Sequence, residues 1–119
     1  MIDKTILDEL KSKYPYARLL SWEDDDTDET FEIVVAPPGR AQWQRFMRAS
    51  TNDEERSGAG EQLVRDCTVY VAGAPSTERN AAAIALDAML LRRPGLAGTF
   101  SKQLVKIAGL SREASSKKL

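Results

Sequence analysis

Three kinds of side chain in this 119-residue sequence could carry chemistry: one thiol, Cys67; an acidic run at residues 23–29; and the scattered carboxylates Glu61, Asp66 and Asp87. General acid–base work needs such groups within hydrogen-bond reach of one substrate. Nothing in the spacing of Glu61, Asp66 and Asp87 brings them together, and solvated or ion-paired carboxylates are the ordinary role for these types. The sequence has no histidine, which removes the commonest general base and most zinc sites. Cys67 has no second cysteine to pair with, and its neighbours Leu63, Val64 and Val69 would raise its pKa. It reads as a buried apolar filler. Asp24, Asp26 and Asp28 imitate the opening of a calcium loop. The sixth position, however, is Glu29 where the turn needs glycine, and the twelfth is Val35 where a bidentate glutamate belongs. Like charges at this density predict a mobile, solvated hairpin tip. The expectation is therefore no catalytic residue, no metal, no cofactor and no enzymatic activity.

Charge and hydropathy narrow the class further. With 42% hydrophobic and 29% charged residues, the composition predicts a soluble globular chain, and no apolar run approaches a membrane-spanning length. The N-terminus opens Met1-Ile2-Asp3-Lys4 without the features of an export signal, so a cytoplasmic location is expected. The formal net charge of −1 is unevenly spread: residues 92–119 hold seven Lys or Arg against Glu113 alone. That density is too dilute for a phosphate-binding surface, and Phe100 is the only aromatic there. No nucleic-acid or membrane partner is expected.

The elements that must position these residues follow from periodicity. Asp3 suits an N-cap for a first helix with Ile6, Leu7, Leu10 and Tyr14 on one face, stopped by Pro15. Residues 17–22 and 30–36 read as a β-hairpin in which Phe31, Ile33 and Val35 alternate with Glu32 and Val34. Val34 on the outer face implies that both faces are partly covered. Pro37 and Pro38 suit the first turn of a helix running to about Ser50, with Trp43, Phe46 and Met47 on one face. Asn52 or Asp53 can cap the next helix, whose first half Gly58 and Gly60 should loosen before Leu63, Val64 and Cys67 turn inward. Residues 68–71 form a short β-branched strand closed off by Gly73, Ala74 and Pro75. Ser76 or Thr77 then caps a helix to Leu91 that is apolar over much of its circumference, and is thus buried centrally or covered by another chain. After Arg93-Pro94-Gly95 the stripe Leu96, Phe100, Leu104 and Ile107 marks another helix, capped by Gly109. A last short helix from Ser111 and a frayed tail at 115–119 complete the chain.

The reading is one α+β domain over residues 1–119, a two- to three-stranded antiparallel sheet packed against four to five helices. Trp43, Phe46, Leu63, Val64 and Cys67 are expected at its centre. For partner contact the candidates are Met47, Met89, Leu90 and Phe100, because methionine and aromatic side chains adapt to varied apolar surfaces.

Several features together resemble the tail assembly chaperones of long-tailed bacteriophages. They are Phe31-Glu32-Ile33 leading to Pro37 and Pro38, Trp43 with Phe46, the segment Leu63-Val64-Arg65-Asp66-Cys67-Thr68-Val69-Tyr70, Arg93-Pro94-Gly95-Leu96, and residues 104–119 with Leu110-Ser111-Arg112-Glu113-Ala114. About three quarters of the chain takes part, and residues 1–30 do not. The alanine-rich helix after Val71 and the position of Pro75 depart from the pattern. The resemblance implies a protein of the infected host's cytoplasm that binds the helical tape measure protein. It would keep that protein soluble while tail tube subunits polymerise around it. It also implies a longer frameshifted form, for which Lys117-Lys118 could mark an adenine-rich slippery run. The alternative is a different interaction module, such as a phage or prophage regulatory adaptor that works as a homodimer, so a homo-oligomer is a second possible assembly.

Overall fold

In a computed structural model, which describes residues 2–108, the chain runs α1 (Lys4–Lys13), β1 (Arg18–Glu23), β2 (Thr30–Val35), α2 (Arg40–Ser50), α3 (Arg56–Cys67), β3 (Thr68–Val71), α4 (Arg79–Arg92) and α5 (Leu96–Ala108). The expected Gly109 cap, the helix from Ser111, the tail at 115–119 and Lys117-Lys118 lie outside the described residues. The fold is α+β: the three strands form one antiparallel sheet in the order β1-β2-β3. Leu20 faces Ile33 and Trp22 faces Phe31 across the hairpin, while Ile33 pairs with Val71 and Val34 with Tyr70 on the other side. The register shifts between Val34 and Val35, leaving Val69 as the extra residue of a bulge.

As the central strand, β2 is buried from Phe31 to Val35, which accounts for its nearly unbroken apolar run. Val34 joins Val69 and Tyr70 on the face covered by α1, where Ile2 and Leu10 are also buried. Asp3 caps α1 by accepting from the Thr5 N–H at 3.0 Å, and the Ile2 N–H donates to Glu32 at 3.1 Å, tying the chain start to the sheet. The opposite face packs Leu20, Phe31, Ile33, Val35 and Val71 against α3, α4 and α5. Phe100, Leu104 and Val64 are wholly enclosed there.

The outermost helix is α2, which rests on α3 and has no fully buried residue. Of the five residues expected at the centre, Leu63, Val64 and Cys67 are there. Phe46 is half-buried against the core, and Trp43 stands outside it, its ring 5.4 Å from that of Phe46. The apolar stripe of α2 packs mainly on α3, and its first aromatic residue, Trp43, is left half-buried at the edge. Pro37 and Pro38 precede α2 instead of forming its first turn: Gly39 is the N-cap, and Gln42 Oε1 accepts its N–H at 2.9 Å.

Asn52 caps the turn before α3, accepting from Glu54 and Glu55 N–H groups, and α3 itself begins at Arg56. The helix is continuous through both glycines, and its first half is not broken. Packing explains Gly60, where a β-carbon would lie 2.8 Å from Ser101 Oγ and 3.1 Å from Ser101 Cβ. The small residue lets α3 and α5 approach closely at this crossing. Gly58 has nothing within 4 Å of that position.

An apolar groove on the flank of α4

The alanines of α4 and of the turn after β3 shape the surface. Ala81, Ala85 and Ala88 on α4, with Ala72, Gly73 and Ala74 in the turn from β3, are too small to fill the space between α4 and the ends of β2 and β3. Gly73 takes φ +93°, a conformation that suits glycine and lets the chain leave β3 sharply. The result is an open groove of about 720 Å³, within the range of pockets that accept ligand side chains. Phe31, Val71 and Met89 line its floor, and Ile84 rims it. Glu29 and Arg92 mark one end, and Ser76 and Glu78 the other.

The Glu29 end is braced electrostatically. Arg92 pairs with Glu29 at 2.7 Å, and Arg93 with Asp24 at 2.9 Å and Glu29 at 3.3 Å. Both guanidinium groups also lie within 6 Å of the Phe31 ring centre, a cation–π arrangement that fixes this wall. The acidic run is thus not a wholly solvated tip. Two of its carboxylates clasp the end of α4, and Asp24 is buried. The Asp26 N–H donates to Asp24 at 3.0 Å, and Asp28 sits at φ +57° to close the turn. The Asp24 carboxyl lies below its usual range, chiefly through that N–H, then Thr27 and Arg93. Glu29 is lowered chiefly by its hydrogen bond from Arg92.

Of the partner-contact candidates, the groove takes one. Met89 lies on its floor, although only 8% exposed. Leu90 points into the core, and Phe100 has no exposed surface, so a partner cannot reach it without unfolding α5. Met47 is half-exposed on α2 and does not line the groove. On sequence alone α4 is either buried centrally or covered by another chain, and Ile84 and Leu91 are not singled out for contact; Leu86, Met89 and Leu90 are buried, while Ile84 and Leu91 are 66% and 84% exposed. The available signal was their spacing with Ala81 and Ala88, a three-four-three repeat beside the more apolar core face. A second depression of about 770 Å³ gathers Trp43 with Tyr16, Pro37 and Pro38.

The remaining chemistry-bearing residues are held in pairs. Arg65 joins Asp87 to Glu61, and its pKa is raised chiefly by the Asp87 hydrogen bond. Asp66 accepts from Gln62 at 2.9 Å and Arg45 at 3.4 Å. Burial, with Asp66 adding to it, pushes the Cys67 thiol up to about 11. Among the described residues, no group of three His, Cys, Asp or Glu is placed to hold a metal ion, and no helix is long and apolar enough to cross a membrane.

No protein-family model and no curated protein matches the sequence. A solved structure described as an uncharacterised protein from Bacillus stearothermophilus is similar, with a TM-score of 0.61 and 23% identity over 95% of this chain and 98% of that one. At this identity the likeness is one of fold.

Proposed function

We propose that the protein is a tail assembly chaperone, a non-enzymatic binder that covers apolar faces of the helical tape measure protein and keeps it soluble in the host cytoplasm until tail tube subunits enclose it. The sequence resemblance supplies the class, and the groove on α4 is the observation that carries the reading. It offers an open apolar floor with an adaptable methionine and charged ends, the arrangement by which a groove takes an amphipathic helix. The apolar stripe of an unassembled tape measure helix has the complementary need. Co-expression tests this: the tape measure protein of the same phage should be soluble with the wild-type chain and should pellet with Ala88→Glu. Ala88 is exposed, so that substitution charges the groove without entering the core. Equal solubility with the variant would remove the groove from the account.

A further inference from the structure

The outer face of α4 carries a seam with no partner among the described residues. Ala81, Ile84, Ala88 and Leu91 follow one another at spacings of three, four and three, a heptad-like row on one side of the helix. Leu91 is 84% and Ile84 66% exposed, while the opposite side of α4, through Leu86 and Leu90, is buried in the core. We propose that this seam pairs with the same seam of a second copy, the two α4 helices lying antiparallel about a two-fold axis.

Size and charge both select this occupant. An isologous contact must be self-complementary. Centring an antiparallel pair between Ile84 and Ala88 sets Ile84 against the partner's Ala88 and Leu91 against the partner's Ala81, large against small at all four positions. The flanks match as well. The same register brings Glu78, the exposed residue before α4, beside the partner's Arg92, which holds its own Glu29 through Nη2 and stays 64% exposed, so that its guanidinium can bridge both carboxylates, and the two-fold repeats the pair. Asp87, which approaches its own copy near the axis, is already neutralised by Arg65. Antiparallel helix dipoles favour the same orientation. A parallel pair would stack Leu91 on Leu91, set alanine against alanine, and place Arg92 beside Arg92.

Ala81, Ile84 and Ala88 also border the groove, so a paired copy stands before it. That consequence rests on the chaperone reading, whereas the pairing itself does not.

Sedimentation of the purified full chain across roughly 5–500 μM, where an interface of one helical seam associates, tests the pairing without any client. The weight-average mass should rise from 13.2 kDa towards twice that value. Leu91→Asp and Ile84→Asp, at exposed positions, should each weaken association at least tenfold with unchanged circular dichroism. Orientation is read by mixing Ala81→Cys and Leu91→Cys chains with a short bismaleimide, Cys67 being buried and silent. Cross-links between the two variants are expected. A mass of 13.2 kDa at every concentration, association that survives Leu91→Asp and Ile84→Asp, or cross-linking of Leu91→Cys mainly to itself would each overturn the proposal.

Discussion

Gly58 and Gly60 lie two residues apart on one helix, yet replacing each with alanine should change stability in opposite directions. Removing glycine from a helix favours folding by about 0.5–1 kcal/mol, mainly by restricting the unfolded chain. At Gly58 nothing opposes this gain, because the new methyl group meets no atom within 4 Å. At Gly60 the methyl group would lie 2.8 Å from Ser101 Oγ and 3.1 Å from Ser101 Cβ. The hydroxyl can rotate away only by giving up its bond to the Gly98 carbonyl at 2.9 Å, at a cost of about 1 kcal/mol. The Ser101 β-carbon cannot rotate, so α3 and α5 must part slightly, and overpacking of this kind costs about 1–3 kcal/mol. Gly60→Ala should therefore destabilise by about 1–3 kcal/mol net, and the two variants should differ by about 2–4 kcal/mol. Urea unfolding followed by circular dichroism resolves that gap. Ser101→Gly in the Gly60→Ala background should recover part of the loss. If Gly60→Ala stabilises as much as Gly58→Ala, the close crossing of α3 and α5 is wrong.

Other outcomes follow from the same structure. Cys67, buried and with its thiol pushed up to about 11, should resist iodoacetamide at pH 8 in the folded protein and react fully in denaturant, as mass spectrometry would report. Asp24 and Glu29 have lowered pKa values when folded, so they contribute stability that is complete above their unfolded values and lost as pH falls through the folded ones, from about pH 4 downward. Arg92→Met with Arg93→Met should flatten that acid-limb loss, measured by thermal melts between pH 6 and pH 2.5; an unchanged slope would contradict the clasp. Phe100→Ala should cost about 3–5 kcal/mol in urea unfolding, as expected of a core residue and not of a surface contact.

The sequence made the architecture legible because the strongest signals were local. Asp3 as a cap, the alternation of Phe31, Ile33 and Val35, and the β-branched run at 68–71 all describe elements that the structure contains. Val34 correctly implied a second covered face, since an apolar residue on the polar side of a strand needs a layer above it. What was less legible depended on distance in the chain. Arg93 reaches back to Asp24 across the hairpin, so charge density alone described the loop as solvated. Gly60 looked like a weakness because the residue that justifies it, Ser101, lies on another helix. The site was the hardest part to read. Hydrophobicity marks α4 as apolar almost all round, and only tertiary packing decides that Leu90 faces inward while Ile84 and Leu91 face solvent. A groove made by small residues leaves no motif, because alanines signal missing volume only once their neighbours are in place.

The central claim is that the α4 groove holds a helical tail protein, and affinity capture tests it most directly. The wild-type chain and Ala88→Glu would be used as bait in lysate from the cells that express the protein, with captured proteins identified by mass spectrometry. The account predicts one very long, helix-rich tail protein with the wild-type bait and its loss with the variant. Wild-type bait that brings down only its own copies, or a tail protein retained equally by Ala88→Glu, would contradict it.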